Sequence, residues 1–178
     1  AAIERVLPVV ARYAERTGAG QRCQVIWWPE GETRIEVAPD SAPLPEPPTT
    51  MVETTRSTRA AQQLSRSSAT PEQAAELFAE YAVLWTAPVL APEGRDVLGV
   101  MAIWGEVEFD LVLKQADHPA IRLATLALVD HRYKSMLRWD ASHDSLTRVH
   151  NRSGFAAALG AIMLRLREHD LDFLVMRQ

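Results

Sequence analysis

The chain has 178 residues, enough for one domain of ordinary size and part of another, and 47% of them are apolar, so it can build a real core. Its net charge is −4 with both signs scattered, which argues against a nucleic-acid binder, since that would show a basic stripe. One cysteine, Cys23, excludes a disulfide framework, and neither a signal peptide nor an apolar run of about 18 residues is visible, so a cytoplasmic location is expected.

Residues 2–16 place Ile3, Val6, Leu7, Val10 and Tyr13 at spacings of three and four, which predicts an amphipathic helix. Pro8 lies inside it, either kinking it or marking its true first turn, and Gly18 and Gly20 end it. Residues 22–28 read as a strand, with Cys23, Val25 and Trp27 on one face and Ile26 and Trp28 on the other. Pro29-Glu30-Gly31-Glu32 turns the chain and residues 33–37 return, completing a β-hairpin. Residues 38–48 carry five prolines and no periodicity, an extended loop. In residues 51–66 the threonines 54, 55 and 58 favour strand while Ala60, Ala61, Gln62 and Gln63 favour helix; the stretch reads as a short helix followed by a strand or coil. After a polar loop at 65–70, Thr70 is placed to cap a helix from Pro71 to about Tyr81, with Pro at its first position and Glu72 close by.

Residues 83–90 and 96–104 are the clearest strands, with Pro92-Glu93-Gly94 turning between them. Val97, Met101 and Ile103 are assigned to one face of the second strand, and Leu98, Val100, Ala102 and Trp104 to the other. Both faces are apolar, so both need cover. The expected architecture is a central antiparallel sheet with helices on one face and a lid of loops and helices on the other. Gly99 marks a bulge or a close backbone approach, or is a glycine with no role. A long helix follows over residues 117–139, capped by Asp117 and with Pro119 in its first turn. Its first half is apolar nearly all round (Ile121, Leu123, Ala124, Leu126, Leu128, Val129), enough to pack on the sheet and on a partner. Its second half sets Tyr133, Met136, Leu137 and Trp139 among Arg132, Lys134 and Arg138, the pattern of a helix that leaves one domain and enters the next. A helix must stop near His143 and another start near Asn151: Asp144 and Thr147 can cap backbone N–H groups, and Asn151 is a good N-cap. Residues 152–168 form that helix, with Phe155, Leu159, Ile162, Met163 and Leu166 on its apolar side and the Phe155 ring placed to be buried; residues 171–176 are a strand.

Two stretches carry family resemblances. Trp85-Thr86-Ala87-Pro88-Val89, a glycine turn and Leu98-Gly99-Val100-Met101-Ala102, in the order helix, hairpin, variable middle and paired strands, resemble a GAF domain over roughly residues 1–135. Residues 143–155 resemble the opening signature of GGDEF domains, the catalytic domains of diguanylate cyclases. Asp144, Leu146, Thr147, Asn151, Arg152 and Phe155 match at the right spacing, while Arg148 stands where the family has Gly and Val149 where it has Leu. The resemblance implies an α+β fold: a GAF-like (PAS-related) antiparallel sheet flanked by helices, with a long C-terminal signalling helix leading into the first helix and strand of a GGDEF domain. The implied boundaries are a sensory domain over 1–116, a signalling helix over 117–142 and the start of a GGDEF domain over 143–178. It also implies a parent that makes cyclic di-GMP from GTP with Mg, or regulates a linked phosphodiesterase domain.

The GGDEF metal-binding Asp, the guanine-binding residues and the Gly-Gly-Asp-Glu-Phe turn are not in the chain. Asp170-Leu171-Asp172-Phe173 copies the metal motif only superficially, because it follows Arg165-Leu166-Arg167-Glu168-His169 rather than an apolar strand. The chain starts Ala-Ala-Ile and ends in an apolar run, so it is expected to be a piece of a larger protein without catalytic or metal residues of its own. The five histidines (118, 131, 143, 150, 169) show no metal spacing. Cys23 could hold a bilin or ligate haem, as in some GAF sensors, but a buried small thiol is the better reading. The five tryptophans line a ligand cavity or are plain core; Trp85 and Trp104 are the pocket candidates, with an enclosed cavity expected between the sheet and residues 43–81. The partners expected are a second copy of the chain, paired in parallel through helix 117–139, and an unknown small molecule. The alternatives are a dimerisation module whose pocket is filled by side chains, and a ligand-binding GAF domain of another bacterial signalling protein.

Overall fold

The two long apolar runs in the middle of the chain pair with each other, and the shorter strands add to their outer edges. In the computed structural model, which describes residues 2–18, 21–106 and 119–168, β4 (Val83–Leu90) and β5 (Val97–Gly105) are antiparallel neighbours. β1 (Gln21–Trp27) pairs on the other side of β5, β2 (Arg34–Val37) pairs with β1, and β3 (Gln62–Ser65) pairs with β4. The result is a five-stranded antiparallel sheet in the order β2-β1-β5-β4-β3, flanked by helices, an α+β fold.

Helices α1 (Ile3–Thr17) and α4 (Pro119–Ser142) cover one face of the sheet. α1 runs through Pro8 and buries Ile3, Leu7, Val10, Ala11 and Ala14, leaving Val6, Val9 and Tyr13 on its outer side. Gly18 ends it, its N–H donating to the Ala14 carbonyl at 3.0 Å. Gly20 and Asp117, also assigned helix-end roles, lie outside the described residues. α4 buries Ala120, Ala124 and Leu128, a seam of one residue per turn. Its small side chains let the helix approach the sheet closely. Gly99 of β5 is the other half of that approach: a Cβ there would sit 2.8 Å from the Ile26 carbonyl oxygen and 3.1 Å from Leu128 Cδ1.

The opposite face is covered by α2 (Thr49–Thr58), α3 (Pro71–Leu77) and the proline-rich loop 38–48. The ambiguous stretch thus resolves into α2 followed by β3. Thr70 begins α3 with a reciprocal capping box: its hydroxyl accepts from Gln73 N at 3.3 Å, and Gln73 Oε1 accepts from Thr70 N at 3.1 Å. α3 stops at Leu77, short of Tyr81, because the Arg66 guanidinium donates to the carbonyls of Phe78, Ala79 and Tyr81 and satisfies groups a longer helix would have used.

The face assignment along β5 needs one correction. Val89 pairs with Gly99 but Leu90 pairs with Val97, so Leu98 is skipped. This bulge inverts the alternation. Leu98 packs with Met101 and Ile103 beneath α1 and α4, while Val97 packs with Val100, Ala102 and Trp104 on the other face. The assignment holds from 100 to 104 and is reversed at 97 and 98.

The chain falls into two units, residues 1–131 and 132–178. The second holds the end of α4, the connector and α5 (Arg152–Glu168). Phe155, read as buried, is 47% exposed, because no element among the described residues of this unit covers that side of α5. The strand at 171–176 and the stretch Asp170-Leu171-Asp172-Phe173 lie outside the described residues.

Gly99→Ala should lower stability by about 2 kcal/mol, because the added methyl meets backbone rather than a movable side-chain end. Urea unfolding followed by tryptophan fluorescence measures this; an unchanged midpoint would show that the close approach is not a constraint.

Candidate functional site

The two pocket candidates do not share a space. Trp85 and Trp104 lie opposite one step apart in the β4–β5 ladder, where Trp85 pairs with Ile103 and Leu84 with Trp104. Alternation therefore sends Trp85 to the α1/α4 face and Trp104 to the face under α2, α3 and loop 38–48. Of the two, Trp104 alone borders the region where a cavity is expected. Its ring is fully buried, in tilted contact with Phe78 (6.3 Å between centroids) and Tyr81 (5.5 Å). Its indole N–H donates to Gln24 Oε1 at 2.9 Å, and Gln24 Nε2 donates to the Pro45 carbonyl at 3.1 Å. Gln24 thus ties the sheet to the proline-rich loop. One step along the same face, the hydroxyls of Thr55 and Thr86 meet at 2.6 Å, both fully buried. The space beside Trp104 is occupied by the Phe78 and Tyr81 rings and by the hydrogen-bonded Gln24 side chain. Gln24 was missed in the sequence, although a glutamine between apolar strand neighbours is the signal of a buried polar link.

On the other face Trp85 is 2% exposed and its Nε1 has no hydrogen-bond partner among the described residues. Cys23 is also buried there, and burial, with a contribution from the Glu15 carboxylate, pushes its thiol well above the ordinary range, so it is not poised as a thiolate. His131, at the end of this unit, stands edge-on to Trp27 with 5.2 Å between ring centroids. Among the described residues no three His, Cys, Asp or Glu side chains gather as a metal site, and no helix is long and apolar enough to cross a membrane.

The second candidate is the connector between α4 and α5. Asp144 organises it. Its Oδ1 accepts from the N–H of Thr147 at 2.8 Å, from the Thr147 hydroxyl at 2.8 Å and from the N–H of Leu146 at 3.2 Å. These donors, the Thr147 backbone first, hold its carboxyl below the usual carboxylate range. The backbone closes the same loop, Asp144 N to the Val149 carbonyl at 2.8 Å and Arg148 N to the Asp144 carbonyl at 2.9 Å. Arg148, the position where the GGDEF signature has Gly, sits in the left-handed region at φ 58°. That conformation is natural for glycine and costs another residue roughly 1 kcal/mol or more.

Asn151 joins both helices. Its side-chain amide donates to the Ala141 carbonyl at 3.0 Å and the His143 carbonyl at 3.4 Å, and its own N–H donates to the Ser142 carbonyl at 3.0 Å. Its Oδ1 accepts from Gly154 N at 2.9 Å. One side chain therefore caps the end of α4 and the start of α5 together. Gly154, which sequence reasoning passed over, lets the two ends touch: a Cβ there would overlap the Ser142 carbonyl and come within 2.9 Å of His150 Nδ1. Beside the turn Trp139 stacks on His143 with centroids 3.4 Å apart, and His143 meets the His150 ring at a tilt, 4.3 Å away.

No protein-family model and no curated protein matches the chain. Solved structures do. The GAF domain of a two-component sensor histidine kinase from Bacillus halodurans superimposes with a TM-score of 0.54 at 9% identity, over 72% of this chain and 97% of that one. A methyl-accepting chemotaxis protein gives 0.53 at 12% identity, over 74% and 92%. The phycocyanobilin-bound GAF domain of a cyanobacterial phytochrome gives 0.51 at 11% identity, over 78% and 88%. The likeness is one of fold: the chain has the fold of GAF domains.

Asn151→Ala should free two carbonyls, those of Ala141 and His143 at the end of α4, and one N–H of α5 at once. A lost cap costs about 1 kcal/mol, so hydrogen exchange at the Gly154 and Phe155 amides should speed up about fivefold. Arg148→Gly should slow exchange at the same amides. Equal exchange in all three proteins would show that the connector is not held by these contacts.

Proposed function

We propose that the chain is the regulatory domain of a bacterial cyclic di-GMP signalling protein, a GAF domain over 1–116, a signalling helix over 117–142 and the opening of a GGDEF domain over 143–178. The observation that carries this reading is Arg148: the GGDEF signature has Gly at that position, and the connector adopts there the backbone conformation that favours Gly. The residues matching the signature around it, Asp144, Thr147 and Asn151, make the caps that close the turn. None of them is placed to do chemistry; their role is to join two helices. The parent would take GTP and Mg at residues outside this chain, and would work in the cytoplasm.

A cyclase that joins two GTP molecules needs two catalytic domains face to face, so its input must hold two chains in register. α4 offers the surface for this. Leu126 is 67% exposed, Tyr133 64% and Met136 60%. Leu126 and Tyr133 are seven residues apart and Met136 three further on, the a, a and d spacing of a two-stranded coiled coil. Exposed apolar residues in such a row mark an association surface, and a two-fold homodimer with the helices parallel brings both connectors to the same end.

A second reading is favoured by the surroundings of Trp104. With Phe78, Tyr81 and Gln24 filling that space, the domain acts as a dimerisation module that needs no small ligand and responds through its helices alone. The ligand-binding reading would require Trp104 and its neighbours to move apart.

Three outcomes test the proposal. Incubated with GTP and Mg²⁺ or Mn²⁺, the chain should make no cyclic di-GMP; synthesis by the pure chain would sink the assignment. Sedimentation should give a dimer at micromolar concentration, and Leu126→Glu with Tyr133→Glu should give monomers of unchanged helix content. Residues 1–155 placed before the catalytic domain of an active diguanylate cyclase should support synthesis that the same two substitutions cut by about tenfold or more.

A further inference from the structure

α1, the start of β1 and the loop after β2 border an open cleft of about 340 Å³, lined by Arg12, Arg16, Arg22, Glu15, Asp40 and loop residues that include Pro39 and Ala42. Three guanidinium groups face two carboxylates. Of the two, Glu15 is already committed: its Oε1 accepts from Arg22 Nε at 3.1 Å and from the backbone N–H of Cys23 at 3.1 Å. Arg22 is fixed further by its Nη2, which donates to the Ala42 carbonyl at 3.1 Å. Arg12 is held by the Pro39 carbonyl and, at 3.3 Å, by Asp40. The Asp40 carboxylate is 93% exposed, so water screens it and it neutralises little. Arg16, in the last turn of α1, has no hydrogen-bond or ionic partner among the described residues.

A cleft with two oriented cations and one uncommitted cation is short of an anion. A carboxylate has two oxygens in one plane and is matched by one guanidinium fork, whereas a tetrahedral dianion presents oxygens to several. A cleft of this volume falls within the range of small-molecule sites, about 300–1,000 Å³, and is larger than a bare phosphate needs. Pro39 and Ala42 add an apolar wall for an organic group. We propose that this cleft binds a small phosphomonoester: Arg16 pairs with the phosphate, and Arg12 and Arg22 donate the N–H groups that their fixed partners leave free.

Calorimetric titration of the full chain at fixed ionic strength tests this, with ribose 5-phosphate, inorganic phosphate and acetate as probes. Ribose 5-phosphate should bind saturably. Arg16→Gln, an exposed position whose loss leaves the Arg22–Glu15 pair intact, should weaken it about tenfold, the loss of one charge-assisted contact. Arg5→Gln removes the same charge from α1 outside the cleft and should leave binding unchanged. No saturable binding, or equal weakening by both substitutions, would overturn the site. Inorganic phosphate binding as tightly as the sugar phosphate would overturn the assignment to an ester, and acetate doing so would overturn the assignment to phosphate.

Discussion

The central strand β5 is apolar on both faces, and the rest of the fold follows from having to keep both dry. Met101 and Ile103 on one side and Val100, Ala102 and Trp104 on the other are almost wholly removed from water. Each large side chain so buried contributes about 1.5–3 kcal/mol, and that gain is lost on whichever face is left open. A sheet of five strands cannot cover itself, so the chain supplies two helices for one face, and two helices and a proline-rich loop for the other. The bulge at Leu98 shows how closely the two sides are matched. By slipping one residue it sends Leu98 to the α4 side and Val97 to the lid side, so both faces stay apolar up to the strand's start.

Polar groups inside this sandwich are treated differently on its two faces. Beneath the lid, Gln24, Trp104, Thr55 and Thr86 satisfy one another or the loop backbone. Leaving such a group unpaired costs about 1–3 kcal/mol, so these contacts select one seating of the lid rather than merely adding stability. Beneath α1 and α4 the Trp85 N–H carries that cost unrelieved by any described partner. The helix face has polar ties of its own, the Glu15 carboxylate of α1 accepting from Arg22 Nε and from the Cys23 N–H of β1, so the two faces differ in the one unpartnered indole N–H rather than in whether hydrogen bonds hold them.

Much of this was legible in the residues because the relevant signals are local. The period of three and four in α1, the Thr70 cap before Pro71 and the double-sided run of β5 each depend on neighbours within a turn or a strand. Helix α5 was legible to its ends because Asn151 caps it. The failures share a cause: each depends on what lies opposite. Trp85 and Trp104 look alike as strand aromatics, and only the ladder register shows that they face away from each other. Val6 and Tyr13 fit the apolar period of α1, yet the sheet is narrow enough to cover only the stripe through Leu7, Ala11 and Ala14. Phe155 fits an apolar side of α5 that none of the described residues of its own unit covers. Gly154 carries no periodicity at all; its reason is a carbonyl from a different helix.

The connector's construction bears on what kind of signal it can pass. A flexible hinge would have glycines where the chain bends and few fixed hydrogen bonds, and it would absorb any motion of α4. Here the bend carries Arg148 in a conformation better suited to glycine, and the strain is held in place by the Asp144 loop on one side and Asn151 on the other. Because Asn151 holds the Ala141 and His143 carbonyls at the end of α4 and the Gly154 N–H in the first turn of α5 with one planar amide, turning one helix about its axis without the other would break contacts at both ends. Gly154 removes the slack that a side chain would introduce between the two ends. Such a joint passes rotation and translation onward and resists only being opened. In the proposed dimer, where α4 lies along its copy, a small change in how the two helices pack would then reappear, undamped, at the start of α5.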